Sequence, residues 1–331
     1  MTAAALRARY RRIVTFFAGV TARFIYWEIV LPKLGLASWS NRTRTRRNRR
    51  LAARFRELAI SMGGLMIKVG QFLSARLDVL PAEITDELAG LQDEVPAASF
   101  AAIREEAEAD IGRPLAQVYA SFEETPLAAA SLGQVHRAEL FAADAAETGF
   151  GAVVVKVQRP SIEQIVDVDL AALRRVGGWL ARYKPVSSRA DVPALVEEFA
   201  VTTLQEIDYL AEASNAEHFR EAFADSEHVR VPQVAWEHTT RKVLTLEDVS
   251  AIRLGDYDAI TAAGIDRAAV AKRLVDTYLQ QIFEDGVFHA DPHPGNLFVK
   301  PLGSGDFELT FIDFGMVGRV PTTSGPGSAR R

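Results

Sequence analysis

At 331 residues, with 48% apolar side chains and charges of both signs, the chain can bury one or two cores, and a wholly disordered tract is excluded. The absence of cysteine excludes a disulfide framework, a thiolate zinc site and a cysteine nucleophile, and nothing points to an oxidising compartment. The net charge of −5 hides an asymmetry: residues 1–60 carry 14 Lys and Arg against two acids, Glu28 and Glu57, whereas the rest of the chain is acidic.

Within that basic segment Ile13, Phe17, Val20, Phe24, Trp27 and Leu31 recur at fours and threes and line one helical stripe. Arg23 and Glu28 interrupt the stretch, and a charge near the middle of a span costs about 2.5–3.5 kcal/mol, so a spanning helix is disfavoured. No small-residue cleavage site follows. The stripe fits an amphipathic helix that lies on a membrane surface or packs on the body of the protein. The run NRTRTRRNRR at 41–50 suits anionic headgroups, at about 1 kcal/mol per basic residue near the surface, or forms a solvated basic face. Nucleic acid is not an expected partner, because no recognised nucleic-acid module accompanies the arginines.

From Leu51 to Leu80 the pattern is helical, ending before Pro81. Lys68 and Gln71 are three apart and share a face; their flanks, Leu65, Met66, Ile67, Val69 and Phe72, are apolar, which favours a polar pocket over a freely solvated turn. Two further helices are expected over Ala82–Gln92 and Ser99–Ile111, before Gly112, Arg113 and Pro114 mark a change to strand.

The next stretch reads as strand, loop and strand, with the loop at Thr125–Gly133. A kinase covers its nucleotide phosphates with a glycine-rich loop at this place; here Ala128, Ala129, Ala130 and Ser131 stand instead, small but stiffer than glycine. GAVVVKVQRP then sets Lys156 in a β-branched strand, where a buried amine requires a carboxylate or phosphate partner. Val192–Glu221 is expected to be helical, with Glu206, Asp208, Tyr209, Glu212 and Asn215 crowded together. An exposed acidic face would be the plainer account of them were it not for Lys156 and Lys68.

The densest chemistry lies in FHADPHPGNLFVKPLGSGDFELTFIDFG, residues 288–315. Asp291 stands five residues before Asn296 in a turn set by Pro292, Pro294 and Gly295, and a strand then delivers Asp313 followed by Phe314 and Gly315. Asn296 and Asp313 supply hard oxygen ligands for Mg²⁺, and Asp291 a carboxylate for the attacking hydroxyl. His293 suits a phosphate or carboxylate contact, or a buried structural role.

Five features in order resemble the AarF/UbiB family of atypical kinases, over about Leu51–Arg319: Lys68-Val-Gly70-Gln71, the alanine loop with Gly133-Gln134-Val135, Lys156, Glu206-x-Asp208-Tyr209 with Glu212, and HADPHPGN with DFG. The resemblance implies an α+β, protein-kinase-like two-lobed fold with an antiparallel small-lobe sheet and a helical N-terminal extension. It implies that Lys156 pairs with Glu212 on the helix equivalent to αC, that Asp291 takes the catalytic-loop role, and that Lys68 and Gln71 lie across the peptide-entry side with Lys68 bonded toward Glu206 and Asp208. Backbone groups at Leu246, Glu247 and Asp248 would meet adenine. ATP or ADP with Mg²⁺ are the implied cofactors, and a lipid or quinone precursor the implied further ligand, in isoprenoid quinone biosynthesis or membrane-lipid homeostasis.

In this frame residues 1–50 are a basic segment with peripheral membrane contact, 51–115 the extension, 116–249 the small lobe, 250–319 a partial large lobe and 320–331 a disordered tail. Small-lobe strands are expected near 117–123, 134–140, 151–158, 231–236 and 243–247, and a helix over Arg267–Glu284 capped at Asp285-Gly286. Ala290 follows His289 where protein kinases carry arginine, so activation by loop phosphorylation is not expected. An incomplete helical large lobe is expected from the short remainder after Gly315. The readings left open are a kinase or ATPase acting on a small or lipid-like acceptor, a catalytically weak, nucleotide-dependent lipid-binding or regulatory module, and an inactive truncated fragment, in a cytoplasmic setting peripheral to the membrane.

Overall fold

The computed structural model describes residues 1–76, 80–92, 95–188 and 190–320. Residues 321–331 of the tail expected at 320–331, and the end of the Leu51–Leu80 helix at residues 77–79, lie outside the described residues. In chain order the helices are α1 (Ala3–Ile25), α2 (Leu31–Lys33), α3 (Ala37–Met62), α4 (Leu65–Ser74), α5 (Ala82–Ala89), α6 (Phe100–Ile111), α7 (Ala142–Thr148), α8 (Ile162–Ala181), α9 (Lys184–Ser187), α10 (Val192–Glu206), α11 (Tyr209–Ala222), α12 (Tyr257–Ala262) and α13 (Arg267–Gln280). The strands are β1 (Ser121–Phe122), β2 (Ala128–Ala129), β3 (Gly133–Glu139), β4 (Ala152–Gln158), β5 (Val229–Arg230), β6 (Val243–Glu247), β7 (Ile252–Arg253), β8 (Val287–His289), β9 (Leu297–Gly303), β10 (Asp306–Phe311) and β11 (Val317–Arg319). Two compact units result: Met1–Glu106 with Thr125–Val135 and Val157–Leu204, and Ala107–Glu124 with His136–Lys156 and the chain from Gln205 onward.

The first unit is mainly helical. α1, a π-turn at Tyr26–Val30 and α2 run on as one helix, Ala3–Lys33, long and apolar enough to cross a membrane by length and composition. Its N-terminal part is nevertheless docked on α8. Arg9 Nε and Nη2 each meet the fully buried Asp169 carboxylate at 2.6 Å, and the same guanidinium donates to the carbonyls of Met62 at 2.7 Å and Gly63 at 3.1 Å. One arginine thereby neutralises a buried acid and satisfies carbonyls left over at the end of α3. Of the expected stripe, Ile13 and Leu31 are buried, Phe17, Val20 and Trp27 are half-buried, and Phe24 is exposed. The stripe is used for packing.

The single helix expected from Leu51 instead begins at Ala37 and breaks at Gly63 and Gly64, whose φ values of 62° and 57° need no Cβ. The apolar periodicity continues across the break, which is why pattern alone passes over it. Beyond it, α4 buries Leu65, Met66, Ile67, Val69 and Gly70. Gly70 permits close approach: a Cβ there would sit 2.2 Å from Leu91 Cδ1.

In the second unit, β1 pairs antiparallel with the later part of β3, in a sheet with β4 and β6; β2 pairs with the start of β3, Ala128 opposite Val135 and Ala129 opposite Gln134, within the first unit. The strand expected near 117–123 shrinks to Ser121–Phe122 behind a 3₁₀ turn at Leu115–Gln117. The strand expected near 231–236 does not form. Val229–Arg230 pairs parallel with β10, and only Val234 bridges back, to Leu246. A second sheet runs β5-β10-β9-β7, and β8 pairs antiparallel with β11. Phe219, Leu244, Leu297, Val299, Leu309, Phe311 and Phe314 are buried in one shared core, at about 1.5–3 kcal/mol for each large apolar side chain taken from water.

The helix expected over Val192–Glu221 is broken. Asp208 leaves helical geometry and accepts from the Ala211 amide at 3.1 Å as the N-cap of α11, so it is not a face-mate of Glu212. α13 starts at the Asp266 cap and passes through a π-turn at Gln281–Asp285 to Gly286, at φ 67° and ψ 8°, where the sequence places its C-cap.

Candidate nucleotide and metal site

The β9–β10 hairpin builds the centre of the site. Its tip, Gly303-Ser304-Gly305, takes positive φ throughout, and its register sets Leu297 opposite Phe311. The next residues out are therefore Asn296 and Ile312, joined by Ile312 N–H to Asn296 O at 3.0 Å, and Asp313 follows at once. Two oxygen-bearing side chains 17 residues apart in sequence thus emerge at the same strand ends. Asn296 Nδ2 donates to Asp291 Oδ2 at 2.8 Å, which leaves its Oδ1 for a hard cation. The carboxylate of Asp313 is 42% exposed. Among the described residues no group of three or more His, Cys, Asp or Glu could hold a metal ion. The residues present fit Mg²⁺, which takes one or two protein ligands and completes its shell with water and phosphate oxygens.

Asp313 has φ 64°, unusual for a residue with a Cβ. Its surroundings hold it there. His289 Nε2 donates to the Asp313 carbonyl at 2.8 Å, the Gly315 amide meets Asp313 Oδ1 at 3.3 Å, and Asn215 Nδ2 holds the Phe314 carbonyl at 3.0 Å. The buried Phe314 ring packs on Phe219 and His289 at 5.2 and 5.4 Å.

Lys156 reaches into this cluster. Its Nζ lies 2.9 Å from both carboxylate oxygens of Glu212 and 3.4 Å from Asp313 Oδ2, with the Tyr209 ring centroid at 5.2 Å. Burial alone would lower its pKa, but Asp313 and Glu212 outweigh that and hold it well above the ordinary value. Glu212, 1% exposed, is pushed up to about 7, first by burial and then by Asp313 and Glu206, against the pull of Lys156. Glu206 is close by: a Cβ on Gly315 would lie 3.7 Å from its Cα. One ammonium serves a pocket crowded with carboxylates, an arrangement that a polyphosphate-bound cation would relieve.

Several expectations need correction. The amides of Glu247 and Asp248 donate within the fold, to Gln233 O at 2.9 Å and Ala152 O at 3.0 Å, so neither is available as it stands to donate to adenine. Leu246 is buried, and the Glu247 and Asp248 side chains pair with Arg230 and Arg137. His293 is exposed rather than buried, and its Nδ1 accepts from the Gly295 amide at 3.1 Å. The remaining sequence-selected residues belong to the first unit. Lys68 is half-buried, and Gln71 Nε2 donates to Leu91 O at 3.3 Å. Ala128 and Ala129 form β2 against Val135 and Gln134, the Ala130 amide donates to Gly133 O at 2.9 Å, and Ser131 is buried. Arg159 Nε holds the Ala130 carbonyl at 2.8 Å. Pattern reading gave Asn215, Tyr209 and His289 no positioning task. The clue for Asn215 was its spacing of three from Glu212 on α11.

Comparison with known proteins places the chain in a family. Residues 90–325 match the family model described as ABC1 atypical kinase-like domain. The chain is 42% identical over 276 residues to the Arabidopsis thaliana chloroplastic protein Activity of BC1 Complex Kinase 7, covering 83% of this chain and 38% of that protein. It is 39% identical over 307 residues to the probable protein kinase UbiB of Aeromonas hydrophila, covering 91% of this chain and 54% of that one. It therefore spans about half or less of the length of these relatives. A Mycobacterium tuberculosis protein solved in complex with erythromycin is 29% identical with a TM-score of 0.53, over 81% of this chain and 64% of that one. With residues 90–325 of the chain matched by that family model, the chain belongs to the ABC1 atypical kinase-like family.

Proposed function

We propose that this chain binds ATP or ADP with Mg²⁺ and acts as an atypical kinase or ATPase. The observation that carries the reading is the convergence of Lys156, Glu212, Asp313, Asn296 and Asp291 within one compact unit. In it, Glu212 and Tyr209 hold Lys156 toward the nucleotide phosphates. Asn296 and Asp313 hold the ion, which supplies charge neutralisation at the phosphates. Asn296 also orients Asp291, whose carboxylate accepts a proton from the acceptor hydroxyl. Lys68 and Gln71 in the first unit, and Glu206 and Asp208 in the second, are the positions to which the family resemblance assigns a regulatory role. The acceptor is small or lipid-like, such as a quinone precursor, and the segment 1–50 attaches the protein peripherally to a membrane. A catalytically weak regulatory module is the second reading, favoured by the alanine loop, whose Ala130 amide is engaged by Gly133 rather than left for phosphate. Calorimetric titration of the folded protein with ATP and with ADP, with and without Mg²⁺, tests the common part. Mg²⁺-dependent binding is expected, and no binding of either nucleotide contradicts it. Turnover separates the two readings.

A further inference from the structure

The helix Ala3–Lys33 and α3 form a hairpin whose turn carries an exposed apolar tip. Phe24, Ile25, Tyr26, Val30, Leu34 and Trp39 are all large and exposed, with Leu34 at 68% and Leu36 beside it at 45%. These are mostly not the residues of the apolar stripe that the sequence suggests for a membrane; that stripe is used on the body of the unit. The tip is a built structure. Ser40 Oγ donates to Trp27 O at 2.7 Å, the Trp27 and Trp39 rings stand 4.9 Å apart, and the Arg47 guanidinium lies 4.2 Å from the Trp27 centroid. Its one acid, Glu28, is paired with Arg44 and Arg47.

The charge around the tip has one sign. Residues 23–50 hold eight Lys and Arg against that one acid, a net of +7, and Arg42, Arg46, Arg49 and Arg50 are exposed on α3 behind the tip. Apolar and aromatic side chains at the end, with cations behind them, match a bilayer surface with anionic headgroups rather than a protein groove. Spanning is opposed at the other end of the helix, where Arg9 is held on the buried Asp169 and Ile13 is fully buried.

We propose that the hairpin tip is a monotopic wedge that inserts Leu34, Leu36 and Trp39 into an anionic membrane while α3 arginines meet its headgroups. The proposal rests on the peripheral-membrane reading above and assigns its residues. It is tested by flotation of the 331-residue protein with phosphatidylcholine vesicles, with or without phosphatidylglycerol. Wild type floats with the anionic vesicles, and brominated lipid quenches tryptophan fluorescence less in Trp39→Phe. Leu34→Glu/Leu36→Glu, at two exposed positions and with unchanged circular dichroism, weakens binding by more than about tenfold. Arg42→Gln/Arg46→Gln weakens it by roughly fivefold per arginine. Failure of wild type to float overturns both the membrane reading and the wedge. Equal flotation of wild type and the double-glutamate variant keeps the membrane reading and overturns the wedge. Resistance of wild type to alkaline stripping, as for a spanning helix, overturns it too. So does self-association that the glutamates abolish without any flotation, which would make the tip a contact between copies.

Discussion

Replacing Arg9 by methionine tests how the N-terminal helix is held. The guanidinium and Asp169 side chains are 8% and 0% exposed, and Arg9 makes two bonds to the carboxylate and two to the carbonyls at the end of α3. Burial already raises the pKa of Asp169 from its ordinary value, against the pull of Arg9. Arg9→Met leaves that carboxylate buried without its cation, a loss of about 3–5 kcal/mol. Amide hydrogen exchange across α1 reads this directly as local opening, because a multi-unit chain has no single unfolding free energy. Exchange should accelerate by roughly a hundredfold to several thousandfold in the single variant. In Arg9→Met/Asp169→Leu most of the protection should return, since replacing a buried pair with apolar groups is often close to neutral. An unchanged rate in the single variant, or a double variant as fast as the single, would refute the reasoning.

Two further outcomes concern stability. The folded pKa of Glu212 is raised to about 7 from an ordinary 4.5, so between those values the folded state holds a proton that the unfolded state releases. That contribution is fully present below about 4.5 and is lost as pH rises through about 7. The urea midpoint of metal-free wild type should therefore decline across this window relative to Glu212→Gln, and parallel curves would contradict the assignment. Gly70→Ala brings a Cβ to 2.2 Å from Leu91 Cδ1 and 3.3 Å from Phe55, so the melting temperature should fall, by an overpacking cost of about 1–3 kcal/mol. Adding Leu91→Ala should recover part of it; no drop in Gly70→Ala alone would mean that the helices separate freely.

Much of the second unit was legible because its signals are local. The Gly286 cap, the Pro-Gly turn before Asn296 and the alternation leading to Asp313 are short-range patterns, and the hairpin register converts them into a site. Lys156 was readable because an amine in a Val-rich strand demands a partner, although the strand does not say which acid answers. Harder features are set at long range. Arg9 is one of many arginines near the N-terminus, and nothing nearby marks Asp169, 160 residues away, as its partner. Asp208 looks like a face-mate of Glu212 at a spacing of four until the chain turns and makes it a cap. The amides of Glu247 and Asp248 are taken by distant carbonyls, which strand propensity cannot indicate. The same holds for residues 231–236, where β-branched character was overridden by the pairing of Val229 and Arg230 with β10.

The central claim is that Asp313 and Asn296 hold the ion while Asp291 serves the acceptor. The most direct test is to measure Mg²⁺-nucleotide affinity and single-turnover hydrolysis side by side in wild type, Asp313→Asn and Asp291→Asn. The account expects Asp313→Asn to abolish Mg²⁺-dependent binding, and Asp291→Asn to bind as wild type does while losing whatever turnover wild type has. Equal loss of binding in both variants, or Mg²⁺-dependent binding that survives Asp313→Asn, would contradict it.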